Sequence, residues 1–340
     1  MHDGKLTAVL AGCGGISKTW LDAIKTFDDL AIVGLADLNP AAAEARKQEF
    51  ALPAAVSASL EELLEHNRPD VVFDCTVPGA HCATTLTALR YGCHVLGEKP
   101  MAPGMKEAGM MVAAAAGAGK IYAVVQNRRY LDSIVNFRDL LRSGELGSLN
   151  TLNADFYLAP HFGGFREDMD HVLLLDMAIH SFDQARFISG ADPVTVYCHE
   201  FNPAGSWYRH GAAAMAIFTM SDGSVFNYRG SWCAPGLPTS WQCDWRACCS
   251  TGTARWDGQD ELQAEKVSGN DGFFHPVAKV AVPENKLLHS GHAGVIREFL
   301  DCLKYGRQPQ TVCTDNFKSL SMVHAAIASA GQHAVVKLEF

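Results

Sequence analysis

Lys99 stands next to last in the stretch Tyr-Gly-Cys-His-Val-Leu-Gly-Glu-Lys-Pro, residues 91–100, in a chain of 340 residues. The run His94-Val95-Leu96-Gly97 reads as a short buried strand. Pro100 stops it, because proline lacks the N–H a ladder needs and holds the preceding residue extended. Lys99 then lies at the carboxyl end of a parallel strand, where open α/β sheets hold their ligands. A lone lysine there is ordinarily solvated, but a second group of residues gives this one a use. Asp176 and His180 stand four apart, which puts them on one face of a helix expected to run from Asp176 to near Gly190, with Asp183 continuing the stripe. The other faces carry Met177, Ile179, Phe182 and Phe187. An acid one turn from a histidine orients the ring and stabilises its protonated form, and histidine titrates near neutrality. Lysine, histidine and a positioning acid can together move a proton on and off a hydroxyl and stabilise charge on its oxygen. The competing reading of 176–183 is the exposed stripe of an amphipathic helix.

The first third of the chain supplies a scaffold. Leu6–Ala11 is an apolar run suited to a central parallel strand. Gly12-Cys13-Gly14-Gly15-Ile16-Ser17 follows, then a helix expected over about 18–26. Gly12 and Gly14 allow a tight turn and close approach to a pyrophosphate, and Ser17 takes the third position, where helix packing needs a small residue. A second strand over 31–36 ends on Asp37, about 20 residues past the turn, where a carboxylate binds ribose hydroxyls. A carboxylate there repels a 2′-phosphate, and neither Leu38 nor Asn39 is a base that could receive one. NAD is therefore expected over NADP, although a side chain can turn away. The alternative reading of Asp37 is a helix cap before Pro40. A strand over 71–76 exits through 77–81 into a helix that ends near Arg90. His81 there could contact a cofactor, although at a helix start a histidine is more often a cap or a packed residue. A helix over 106–116 and a strand over 121–125 complete an alternation that predicts a doubly wound parallel sheet.

After Gln126 the period changes. Leu152, Ala154 and Phe156 alternate with Asn153, Asp155 and Tyr157, and Phe226 and Tyr228 with Asn227 and Arg229. This marks an antiparallel sheet with one covered face. Further strands are expected over 194–201, 213–220 and 243–249. Trp232, Trp241 and Trp245 read as sheet-face packing or a subunit interface. Two helices close the chain. One carries Ile296, Phe299, Leu300 and Leu303 and stops at Gly306, and the other spans about 316–330. Two domains are expected: a dinucleotide-binding domain over 1–125, and a substrate-binding and oligomerisation α/β domain over 126–340.

Composition narrows the class. A formal charge of −9 without clustered Lys and Arg argues against nucleic acid. No apolar run approaches the roughly 20 residues of a spanning helix. Residues 1–5 lead straight towards a strand with no secretory segment, so a cytoplasmic location is expected. Eleven scattered cysteines, an odd number without a Cys-x-x-Cys pair, read as reduced thiols, and no metal site is expected.

With these pieces placed, the sequence resembles the Gfo/Idh/MocA family, named for glucose–fructose oxidoreductase and inositol dehydrogenase. The resemblance covers nearly the whole chain. Its marks are the 12–17 turn, Asp37, Thr76-Val77-Pro78 with His81, Glu98-Lys99-Pro100, the Asp176-x-x-x-His180 pair, and the closing stretch from Pro309-Gln310-Thr311 to Ser319-Leu320. It implies a Rossmann domain followed by an α/β domain on an open, mostly antiparallel sheet, and association as a homodimer or homotetramer through the outer face of that sheet. It also implies NAD(P)-dependent oxidation or reduction of a sugar, polyol or related compound. Lys99, Asp176 and His180 fall on the family's catalytic positions. The implied cofactor contacts are Gly12, Gly14, Gly15, Ile16, Ser17, Asp37, Leu38, Thr76, His81, Glu98, Lys99 and Asn127. The implied substrate contacts are Lys99, Arg128, Arg166, His171 and His180. Many members carry a glycine run before the Asp-x-x-x-His pair; here it is His171-Val172-Leu173-Leu174-Leu175, so substrate identity does not carry over from well-known members. Two other readings stand beside an NAD-dependent dehydrogenase: an NADPH-dependent keto-sugar reductase, and a non-enzymatic dinucleotide sensor of the same fold.

Overall fold

The structure is a computed structural model, and it describes residues 4–340. Residues 1–3, part of the opening read above as leading towards a strand, lie outside the described residues. The chain divides into two compact units.

The first unit holds the chain up to Asn127 together with Leu288–Phe317. Its elements are β1 (Leu6–Ala11), α1 (Gly15–Ile24), β2 (Leu30–Ala36), α2 (Pro40–Glu49), β3 (Ala55–Ser57), α3 (Leu60–Asn67), β4 (Val71–Asp74), α4 (Pro78–Arg90), β5 (His94–Gly97), α5 (Met105–Ala118) and β6 (Tyr122–Val124). The strands form one parallel sheet in the order β3-β2-β1-β4-β5-β6. Their apolar runs are buried because helices cover both faces. The order reverses between β1 and β4, and the crevice at such a switch point is where ligands bind. α2, β3 and α3 were not anticipated. Their signals are local caps: Asn39 accepts from the Ala41 N–H ahead of Pro40, and Ser59 accepts from the Glu62 N–H. α1 begins at Gly15 rather than Lys18, so the glycines themselves enter the helix.

The second unit comprises Arg128–Leu287 and Lys318–Phe340. It contains α6 (Asp132–Arg142), β7 (Leu149–Tyr157), the one-turn α7 (Phe165–Asp168), a π-helix (Leu173–Ala178), α8 (Ile179–Ser189), β8 (Pro193–Phe201), β9 (Ala213–Met220), β10 (Val225–Ser231), β11 (Asp244–Cys249), β12 (Gly252–Trp256), β13 (Leu262–Val267) and β14 (Val277–Lys279). α9 (Gly291–Tyr305) belongs to the first unit, α10 (Cys313–Gln332) begins there and continues in the second, and β15 (Val336–Lys337) ends the series. The second sheet runs β14-β13-β12-β11-β7-β10-β9-β8-β15. It is antiparallel except where β10 runs parallel to β7. Period two decides its faces: Ala214, Ala216, Phe218 and Met220 point inward from β9, whereas Met215 and Ile217 are exposed. Phe182 of α8 meets Phe218, Phe226 and Tyr228 edge-on.

The fold class is the one expected: a Rossmann sheet followed by a mostly antiparallel α/β unit. The expected second domain ran unbroken over 126–340, whereas Leu288–Phe317 groups with the first unit. α9 lies on α1, and Arg297 holds Asp29 through two contacts of 2.8 and 3.0 Å. An amphipathic pattern states that a helix face is covered, not which neighbour covers it. All eleven cysteines are free thiols.

Candidate active site

Gly12 is where β1 comes closest to the end of β4. Its φ is +87°, and an added Cβ would stand 2.6 Å from main-chain atoms of Cys75 and Thr76. Any side chain would push the strands apart and fill the crevice, so only glycine fits. Gly14 and Gly15 have open space around them. Ile16 is part-exposed, and Ser17 is buried, its hydroxyl donating to the Gly14 carbonyl at 2.5 Å. The N–H groups at the start of α1 form the anion-binding end of a helix.

Asp37 is not a helix cap; Asn39 caps α2. One carboxylate oxygen of Asp37 accepts from the Cys13 N–H at 2.7 Å, the other from the Asn39 N–H at 2.8 Å. The acid thereby fastens the end of β2 to the glycine turn. A carboxylate has about four lone-pair sites, so accepting capacity remains. A cleft of about 400 Å³ opens beside it, lined by Gly12, Gly14, Asp37, Leu38, Thr76 and Val77 among others. Leu38 is fully exposed at its rim.

At the end of β4, Asp74 is buried and accepts from the Thr76 N–H and hydroxyl at 3.0 and 2.5 Å. Burial pushes its carboxyl up, and His81 and Thr76 oppose that. His81 lies within 3.0 Å of two main-chain carbonyl oxygens, one at each ring nitrogen, which leaves no ring nitrogen to face a cofactor. Glu98 also turns inward. It accepts from the Trp20 indole at 2.7 Å and pairs with His292 at 3.5 Å. Burial alone would raise it, but His292 and Trp20 bring it below the ordinary carboxylate value. Glu98 therefore fixes the end of β5 to α1 and α9, and the next residue, Lys99, is half-buried before the cis Lys99-Pro100 peptide. Asn127 opens a 3-10 turn, Asn127–Tyr130, and is also half-buried.

In the second unit, Asp176 lies on the π-helix rather than on the expected α-helix. A π-helical turn widens the ladder and is common at functional sites, but it has no simple signature in residue types. The following helix, α8, is buried at every position from Ile179 to Ile188, so an exposed amphipathic stripe is excluded. His180 is 8 % exposed. Asp183 does not act with Asp176: it forms a buried two-point pair with Arg129 at 2.7 and 2.5 Å, completed by the Ser319 hydroxyl at 2.7 Å. Asp176 accepts from Arg166 at 2.9 Å, and Arg166 stands over the rings of Phe162 and Phe165. His171, at φ +52°, pairs with Glu200 at 2.5 Å, a contact that raises its pKa against the effect of burial. Arg128 donates to the Trp241 carbonyl at 2.6 Å and reaches the Met177 sulfur. Burial pushes it down to about 10, and it still keeps its charge at neutral pH.

Sequence reasoning missed Arg46, Glu200 and His292. Arg46 donates to the Ser17 hydroxyl at 3.0 Å and to the Gly14 carbonyl at 3.2 Å, holding the turn from α2. Its signal was weak, because an arginine on a polar helix reads as solvated. The Arg-Arg pair at 128–129 was visible, but which of the two turns inward was not.

Two family models match the chain: an oxidoreductase family with an NAD-binding Rossmann fold over residues 6–126, and the GFO/IDH/MocA C-terminal domain over 134–255. The chain belongs to the Gfo/Idh/MocA family. As a member it is an NAD(P)-dependent oxidoreductase, and its first unit is the NAD-binding domain. Among curated relatives, D-apiose dehydrogenase of Paraburkholderia graminis is 27 % identical across 98 % of this chain and 90 % of its own. The 1,5-anhydro-D-fructose reductase of Ensifer adhaerens is 29 % identical across 54 % of this chain and 56 % of its own. An Agrobacterium radiobacter oxidoreductase, solved with NAD+, L-tartaric acid and magnesium, shares the fold with a TM-score of 0.88, at 20 % identity over 98 % of each chain. The family's cofactor fits the residues present, because Gly12 leaves the room a Cβ would take and the Asp37 carboxylate borders the cleft. The turn from Gly12 to Ser17 would hold the pyrophosphate, and Asp37 the ribose hydroxyls.

Proposed function

We propose that this family member oxidises a hydroxyl of a sugar, polyol or related carbohydrate with NAD, or reduces the corresponding ketone. The observation that carries this reading is His180: an ionisable ring on a helix whose every position from Ile179 to Ile188 is buried. Desolvating an imidazole has a cost, and general acid–base chemistry supplies a reason for it. When bound, the nicotinamide supplies the hydride acceptor or donor. His180 takes the hydroxyl proton in oxidation and returns it in reduction. Lys99 hydrogen-bonds the reacting oxygen and stabilises the negative charge that develops there. Asp176, tied to Arg166, orients the acid–base group, and Arg128, Arg166 and His171 contact the substrate. The D-apiose dehydrogenase and anhydrofructose reductase relatives support a carbohydrate substrate, and Asp37 supports NAD over NADP. The enzyme acts as a homo-oligomer, joined through the exposed apolar positions of the second sheet, among them Tyr197, Met215 and Ile217.

The test is a fluorescence titration with NADH and NADPH, followed by a screen of aldoses, anhydrosugars and inositols at the nicotinamide absorbance band. Tight NADH binding with turnover of a carbohydrate is expected. Binding without turnover across the panel would favour a dinucleotide sensor, and absence of dinucleotide binding would overturn the reading.

A further inference from the structure

His81 stands in the first turn of α4 and is 2 % exposed. Its Nδ1 lies 2.9 Å from the Pro100 carbonyl oxygen, and its Nε2 lies 3.0 Å from that of Thr76. Carbonyl oxygens only accept, whereas a neutral imidazole offers one N–H and one lone pair. A lone pair facing a carbonyl at that distance repels it, and burial keeps water from mediating. Both contacts are hydrogen bonds only when both nitrogens carry hydrogen. A cationic ring in such a place needs an anion. Asp74, fully buried at the end of β4, has one oxygen held by Thr76 and the other without a hydrogen-bond partner. The other titratable groups around this corner are Glu98 and Lys99 after β5 and Tyr122 of β6, with Glu107 of α5 acting on Cys82, the residue after His81.

The two carbonyls belong to segments with separate work. Thr76 and Val77 line the cleft beside Asp37, and Pro100 follows Lys99. We propose that His81 is a positioning residue which, with hydrogen on both ring nitrogens, clamps the turn after β4 to the Lys99 corner. The clamp rests on the reading of that cleft as the dinucleotide site and of Lys99 as a catalytic group. His81 reaches the reaction only through Thr76 and Lys99.

Nitrogen-15 NMR of histidine-labelled protein tests the ring directly, with His81→Gln assigning its signals among the 14 histidines. At pH 7.5 both His81 nitrogens are expected in the protonated range; one bare nitrogen overturns the proposal. NADH titration and turnover test the positioning. His81→Ala is expected to weaken NADH binding and lower turnover, each about tenfold, and His81→Gln, which keeps an amide donor for one carbonyl, to restore part of both. Wild-type affinity and turnover in the two variants would overturn the clamp. Should His81→Ala fail to fold, His81→Gln and the nitrogen signature decide. A wild-type protein that binds no dinucleotide would refute the proposed function, while the NMR result would still decide the state of the ring.

Discussion

Lys99 and His180 are the residues on which the proposed chemistry depends, and each can be tested by truncation. Positioned acid–base groups contribute roughly 10²–10⁴-fold. Lys99→Ala and His180→Ala should therefore each lower kcat by about two orders of magnitude or more, with NADH affinity largely kept. A wild-type rate in either would remove that residue from the mechanism. Asp37 makes a different prediction, because its carboxylate already binds the Cys13 and Asn39 N–H groups. Asp37→Ala should weaken NADH binding and shift the NADH/NADPH affinity ratio towards NADPH, as titration with both dinucleotides would read. An unchanged ratio would confine Asp37 to holding the turn. Two thiols near these sites need no role: burial pushes Cys13 and Cys243 up to about 12, which leaves them protonated and unreactive at neutral pH.

Among the elements, α8 shows how buried charge is organised. The Arg129–Asp183 pair joins α8 to the residues after β6, and Ser319 brings in α10. Removing one member of a buried pair leaves the other charge uncompensated, at a cost of roughly 3–5 kcal/mol. Asp183→Ala should lower the urea midpoint accordingly, and Arg129→Met with Asp183→Leu should recover much of the loss. Equal midpoints for wild type and Asp183→Ala would show that the pair does not stabilise the unit. The loop before the π-helix carries the second electrostatic prediction. Glu200 raises the pKa of His171 in the folded state, so the stabilisation is fully present below the unfolded value of about 6.5. It is lost as the pH rises through the higher folded value. Glu200→Gln should therefore flatten the fall in stability above pH 6.5, measured as unfolding midpoints across that range. A variant with the same slope as wild type would remove the pair from the pH response.

At the scale of the whole molecule, the alternation of β9 leaves Met215 and Ile217 about half exposed, at 48 % and 52 %. With Tyr197 and Phe201 on β8 they put apolar side chains on the outer face of the second sheet, beside its polar positions Asn227 and Arg229. Met215→Lys with Ile217→Lys should shift light-scattering mass from oligomer towards 36.7 kDa. A wild-type protein already at that mass would end the oligomer proposal. Among the described residues no helix is long and apolar enough to cross a membrane.

The sequence alone determined what is local. The glycine turn, Asp37, the strand just before Glu98 and Lys99 and the period-two strands of the second unit all follow from residue types at short spacing, because backbone sterics and pleat alternation act over a few residues. The family was legible for the same reason. Only the tertiary structure decided which polar residues turn inward. Asp183 looked like a continuation of the Asp176 stripe, yet Arg129, 54 positions away, takes it. Asp176 sits on a π-turn that no periodicity announces, and Glu98 and His81 spend their polar atoms inside the first unit rather than towards a ligand. The return of Leu288–Phe317 to the first unit was equally hidden. Hydrogen-bond partners and helix neighbours are chosen by distances in space, and residue order constrains those only after the chain has folded.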